Sequence, residues 1–387
     1  MLLPLLLAAQ ATAPIGAQNA ATPTPRPLLR FAPPVHVPTG GNFMPTGIAI
    51  GDLDGDGLVD VLTANSFAND ISVLRNRGSG NFTAELHSTG TAQARDVALA
   101  DVTGDGNLDA VVALRGDSGA LAVFDGNGRG LLASPRTFGP SRFASDLELA
   151  DLDHDGDLDA VLSTINGDIL GDPKATVLFN DGQGAFSGAQ DHGFVSGVPF
   201  SYGSSLAIGD VDGDGNIDIV GSAQPNVTTA VLLRGTGDGS FTPAELALSG
   251  LFAPMAIELH DIDGDGDLDL AVYDAIFPDP LVHVAVNDGT GSFTPVQALA
   301  PGGSNGFEEA RRALVLADFN ADGVQDLVTP HSFAAGTPAG LFPVHAAPYG
   351  FEAAVVDLDG DGRLDVLTAT RDESFDGLVA VSLNRSF

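Results

Sequence analysis

The chain has 387 residues, 16 Lys plus Arg against 51 Asp plus Glu, a formal net charge of −35, and no cysteine. Charge of that size and sign excludes nucleic acid and anionic lipid as partners, and the lack of Cys excludes a disulfide framework or a thiol nucleophile. The length fits several average domains or one large repeat domain.

The first segment, MLLPLLLAAQATA, has a short apolar core and small residues at Ala9 and Ala11. It is expected to be a secretory signal within residues 1–20, placing the protein outside the cell, in the periplasm or on the cell surface. Residues 21–30 (ATPTPRPLLR) are Pro-rich and read as an extended linker. No later stretch is long and apolar enough to span a bilayer.

From residue 52 onward one nine-residue acidic loop recurs seven times: DLDGDGLVD, DVTGDGNLD, DLDHDGDLD, DVDGDGNID, DIDGDGDLD, DFNADGVQD and DLDGDGRLD, starting at Asp52, Asp101, Asp151, Asp210, Asp261, Asp318 and Asp357. Positions 1, 5 and 9 are Asp and position 6 is Gly throughout; position 3 is Asp except at Thr103 and Asn320. Alternate oxygens on a tight loop suit a hard divalent cation such as Ca²⁺, and Gly at position 6 permits the sharp turn that aims the position-7 carbonyl at the ion.

The predicted side-chain ligands are Asp52, Asp54, Asp56 and Asp60 in loop one; Asp101, Asp105 and Asp109 in loop two; and Asp151, Asp153, Asp155 and Asp159 in loop three. Loop four offers Asp210, Asp212, Asp214 and Asp218, and loop five Asp261, Asp263, Asp265 and Asp269. Loop six offers Asp318, Asn320, Asp322 and Asp326, and loop seven Asp357, Asp359, Asp361 and Asp365. Loops two and six, a carboxylate short, should bind most weakly. Seven divalent ions would bring the net charge to about −21.

An EF-hand would need Glu at position 12 and flanking helices. Position 12 is Thr63, Val112, Leu162, Gly221, Val272, Thr329 and Thr368, and the flanks (IAIGDL before and VDVLTA after the first loop) are short β-branched runs. Each loop is therefore predicted to join two strands. A second turn marker follows in most repeats, NRGSGNF at Asn76–Phe82, NDGQGAF at Asn180–Phe186, RGTGDGSF at Arg234–Phe241 and NDGTGSF at Asn287–Phe293. Such Asn/Asp-Gly steps make hairpins, giving four strands per unit. Loop starts lie 39 to 59 residues apart, a spacing that for strand repeats signals propeller blades.

The paired motif, DxDGDGxxD followed by NDGxGxF, resembles the FG-GAP/VCBS-repeat β-propellers, to which the integrin α-subunit head is related. The resemblance covers residues 31–387. It implies an all-β, seven-bladed β-propeller with up to seven structural Ca²⁺ ions, acting as a monomer in adhesion or in recognition of an extracellular protein or glycan. The sixth repeat departs most, its second turn being reduced to Ala339–Phe342. FAPPVHVPTG (Phe31–Gly40) matches the fourth-strand segment FTAELHSTG of the first repeat. It is expected to lie beside the C-terminal strand and complete the last blade, hiding sheet edges.

No GxSxG elbow occurs, and the eight histidines show no HxH or HExxH spacing, so no catalytic or cofactor-binding residue is assigned. Segments away from the acidic loops hold Phe67, Phe194, Phe200, Tyr202, Tyr273 and Phe277, with Arg311 and Arg312. These residues are expected to be exposed and to form any ligand-recognition face. The alternative function is a propeller-type lyase of acidic polysaccharide, using residues such as Tyr202 or Arg311.

Overall fold

The computed structural model describes Phe31 and residues 35–42, 45–78, 81–117, 119–140, 142–165, 173–194, 205–221, 230–244, 254–274, 280–300, 314–329, 332–337, 344–346, 352–371 and 376–385, with Leu246, Leu248 and Leu251 between them. The expected signal and linker lie outside the described residues, as do Phe200, Tyr202, Phe277, Arg311, Arg312 and Ala339–Phe342. Every regular element described is a strand. No helix among the described residues is long and apolar enough to cross a membrane.

The strands follow the repeats. Unit one pairs Pro45–Gly51, Asp60–Asn65, Asp70–Asn76 and Phe82–Ser88 in that order. The acidic loop joins the first two strands, and the NRGSGNF turn joins the last two with Asn76 opposite Phe82. The same turn geometry recurs at Asn180 and Phe186, Gly235 and Phe241, and Asn287 and Phe293. Units two and three form one eight-stranded assembly, joined by the pairing of Phe143 with Arg115. Unit six is four-stranded, but its strands are only three or four residues long.

The last unit takes its fourth strand from the other end of the chain. Val35–Asn42 runs antiparallel to Asp376–Ser382, with Val35 opposite Val381 and Val37 opposite Val379. That strand would otherwise leave its N–H and C=O groups bare.

The core is divided into layers between neighbouring units. The second strand of unit one is buried at every residue, because successive side chains point to opposite sheet faces and both faces are covered. Val61 packs with Leu367, Val379 and Val381 of the last unit, while Leu62 and Ala64 pack with Ala110, Val112 and Phe124 of unit two. Similar layers join units two and three, three and four, four and five, and five and six. Fourth strands are outermost and largely exposed, as at Phe82–Ser88.

Two aromatics expected on a recognition face are core residues instead. Phe194 is buried between units three and four, and Tyr273 between units five and six. Burial pushes the Tyr273 hydroxyl up to about 12, so it stays neutral. Both end a strand or lie just beyond it, where sequence does not reveal that the adjacent unit covers them. Phe67 is exposed as expected.

Candidate metal centres

The acidic loop is held by its own carboxylates before any ion is considered. In loop one, Asp52 Oδ1 accepts the N–H groups of Gly55 at 2.8 Å and Asp56 at 3.2 Å, and Oδ2 accepts that of Gly57 at 2.8 Å. Asp56 Oδ1 accepts the Leu58 N–H at 2.9 Å. The position-5 to position-7 bond recurs in all seven loops, at 2.8 to 3.0 Å. Side-chain acceptors turning back on nearby N–H groups explain why Asp fits these positions.

Backbone geometry adds a requirement that the sequence reading missed. Position 6 is left-handed in every loop, but so is position 4: Gly55, Gly104, Gly213, Gly264 and Gly360 have φ between 69° and 82°, and His154 and Ala321 have φ of 63° and 55°. Gly at position 4 in five loops was the available signal. In the loop of His154, Asp151 keeps the bond from Gly156 to Oδ2 at 3.1 Å while its buried Oδ1 has no hydrogen-bond partner among the described residues.

Position 9 carries the most structure. Asp60, Asp109, Asp159, Asp218, Asp269, Asp326 and Asp365 are completely buried, each as the first residue of its unit's second strand. One oxygen accepts the N–H of position 2; the other accepts an N–H at the end of the third strand. For Asp159 these are Leu152 at 3.1 Å and Asn180 at 2.9 Å, and for Asp365 they are Leu358 at 3.0 Å and Asn384 at 2.7 Å. The carboxylate thus clamps the loop to the middle of its sheet. Burial raises the pKa of all seven, and Asp159, Asp218 and Asp326 reach about 6.

Carboxylate oxygens of one loop also converge. Three carboxylate oxygens lie within 4.8 Å of one another at Asp52, Asp54 and Asp60; at Asp151, Asp153 and Asp159; at Asp210, Asp212 and Asp218; at Asp261, Asp263 and Asp265; and at Asp357, Asp359 and Asp365. Loops two and six, with Thr103 and Asn320, form no such group among the described residues. Buried Oδ1 atoms of Asp54, Asp212 and Asp263, all at position 3, have no hydrogen-bond partner among the described residues. A buried carboxylate oxygen without a donor is costly unless a cation meets it, so the donor set fits a hard divalent ion. These clusters can hold metal ions.

Neighbouring loops are tied to one another. His154 Nε2 lies 3.0 Å from Asn216 Oδ1 of the next loop. The Asn180 amide donates to Val102 O at 2.9 Å, Asn287 to Val211 O at 2.7 Å and Asn384 to Phe319 O at 2.7 Å. The backbone N–H groups of Gly130 and Gly239 similarly reach Leu53 O and Leu152 O. Apart from the His154 contact, each tie joins a unit's second turn to position 2 of the preceding acidic loop.

Comparison with known proteins agrees with this geometry. A family model for the FG-GAP-like repeat matches residues 52–112, 105–162 and 222–272. No curated protein sequence matches the chain. Among solved structures, BBS1N in complex with ARL6DN and soaked with mercury is similar at a TM-score of 0.58 and 12% identity, covering 91% of this chain and 96% of that one. A functionally unknown protein from Desulfotomaculum acetoxidans DSM 771 is similar at a TM-score of 0.51 and 14% identity, covering 79% of this chain and 91% of that one. Three stretches of the chain thus match the FG-GAP-like repeat, on an all-β fold that fits a β-propeller.

Proposed function

We propose that this protein is a secreted or cell-surface ligand-recognition module, a closed propeller of seven blades in which calcium in the acidic loops is structural. The observation that carries the calcium reading is the set of buried, partnerless position-3 oxygens on Asp54, Asp212 and Asp263, each beside further carboxylates. The closed ring is supported by the pairing of Val35–Asn42 with the C-terminal strand and by the apolar layer shared by the first and last units. A binding role is supported by the fold, which BBS1N shares and presents in complex with ARL6DN. The partner is an extracellular protein or glycan bound by the monomer.

Metal analysis of the purified protein, with melting curves in calcium and in chelator, tests the first part. Bound calcium and a clear fall in Tm on chelation are expected; a metal-free protein with an unchanged Tm overturns it. A screen against surface proteins and glycans tests the second part, and binding to none of them counts against it.

A further inference from the structure

At the seam between the first and last units lies a cavity of ≈ 560 Å³. Its walls come from three parts of the chain. Leu58 and Phe82 belong to unit one, Leu358 and Leu383 to the last unit, and Val37 to the N-terminal strand. These side chains are apolar, and Gly57, Gly78 and Gly360 line the rest with little bulk. The acidic side chains on the lining are Asp357 and Asp359 of loop seven.

The position of this space follows from how the units are joined. At five other seams a turn of one unit donates a hydrogen bond to position 2 of the preceding acidic loop, through Gly130, Asn180, Gly239, Asn287 or Asn384. In unit one the corresponding side chain, Asn76, accepts from Gly78 within its own turn at 2.9 Å. The seam closed by the two chain ends thus keeps a space of ligand size with an apolar wall and a charged edge, the composition of a small-molecule site.

The charge at the edge selects the ligand's sign. Arg385 already places a guanidinium 3.3 Å from Asp359 Oδ2 and 3.4 Å from Asp361 Oδ2, so this edge accepts an organic cation. Arg385 is exposed and its contact with Asp359 is long, leaving the Asp359 Oδ2 open to exchange. Loop seven's four carboxylates outnumber Arg363 and Arg385, which pair with Asp359 and Asp361, so about two negative charges remain before any divalent ion binds. A net charge of −35 adds a long-range field of the same sign.

We infer that this seam cavity is a binding site for a cationic amphiphile, with its aliphatic or aromatic part among Val37, Leu58, Phe82 and Leu358 and its ammonium or guanidinium group at the Asp359 carboxylate, on the Oδ2 that Arg385 meets. The inference goes beyond the module's recognition of macromolecules and does not depend on the identity of that partner.

Calorimetric titration with octylammonium, octanol and octanoate, each below its micelle concentration, tests the site. The wild-type protein is expected to bind octylammonium saturably at one site, and octanoate about tenfold or more weakly. Val37→Trp and Leu58→Trp fill the cavity from opposite sides, and either one that retains the wild-type melting curve should abolish octylammonium binding. No binding by the wild type, equal binding of octanoate, or undiminished binding by a folded tryptophan variant overturns the proposal. Titrations run in both calcium and chelator separate the two readings: failure to bind in both refutes the cavity site, while an unchanged Tm between them refutes only the calcium reading.

Discussion

Arg234 Nη1 sits 2.6 Å from Asp212 Oδ2, so the position-3 carboxylate of loop four already has a counter-charge from its own unit. The same arginine donates through Nη2 to Thr290 O of unit five at 2.7 Å. Arg77 meets Asp54 of loop one at 3.2 Å in a comparable way, whereas the matching positions in loops three and five are Phe179, Asp181, Val286 and Asp288. The loops therefore differ in net charge although their motifs are nearly the same.

Arg234→Gln should make loop four bind calcium about two- to fivefold more tightly, the size of a partly exposed ion pair. It should also lower Tm in chelator, where Asp212 loses the guanidinium that pairs with it. Calorimetric calcium titration and melting curves in chelator check the two effects together; unchanged affinity would show that the arginine does not compete with the ion.

Asp218 and Asp214 lie in one loop but have opposite structural weight. Asp218 accepts Val211 N–H at 3.1 Å and Gly235 N–H at 2.8 Å and is fully buried, while Asp214 is exposed. Asp218→Asn turns one acceptor toward the backbone into a donor and should cost about 2–3 kcal/mol in urea unfolding with chelator present. Asp214→Asn should change that value by about 0.5 kcal/mol or less while weakening calcium binding.

Ala321 has φ of 55° at a position where five other loops use Gly. A Cβ in the left-handed region costs about 1–2 kcal/mol, partly offset by the greater chain entropy of glycine when unfolded. Ala321→Gly should therefore stabilise the protein by about 0.5–1 kcal/mol, as measured by denaturant unfolding. A loss of stability would contradict the strain.

His192 packs edge-on against Phe241 with ring centroids 5.1 Å apart, and its buried Nε2 has no hydrogen-bond partner among the described residues. Burial lowers its pKa, with Asp191 partly opposing the shift. A depressed folded-state pKa means that the neutral ring's stabilisation is complete above the unfolded value near 6.5 and is lost as pH falls through the folded one. Comparing Tm at pH 7.5 and 5.5, His192→Gln should show a smaller acid-induced loss than the wild type. An equal loss would assign it to other groups.

Much of the site was legible because its chemistry is local. Asp at positions 1 and 5 bonds to N–H groups three to five and two residues away, so the loop's shape is written within nine consecutive residues. Alternation of the second turn, NDGxGxF, placed Asn180 opposite Phe186 for the same reason. Position 9 was recognised only as a ligand. Its clamp on the third strand joins residues such as Asp109 and Gly126, 17 apart at 2.7 Å, and no short motif announces such a bond.

A second feature hidden from the sequence runs between units. Asp96 Oδ2 accepts the Leu147 N–H at 2.8 Å, and Asp146 Oδ2 accepts that of Leu206 at 2.9 Å, each buried carboxylate joining its unit to the next. Space is tight at the equivalent place in unit one, where a Cβ on Gly47 would fall 2.7 Å from the Asp96 Cα. In the linear chain Asp96 and Asp146 look like ordinary polar residues, although each lies within a strand, Gln93–Ala100 or Phe143–Ala150.

The sequence by itself determined the repeat, the strand content and the acidic loops, because these depend on side chains and backbone groups within a few residues of one another. Only the tertiary structure decided which carboxylates are clamps and which keep oxygens free, where Phe194 and Tyr273 are buried, and that a cavity lies at the seam of the first and last units. Those outcomes depend on which surfaces of distant units meet, and packing between units fixes that.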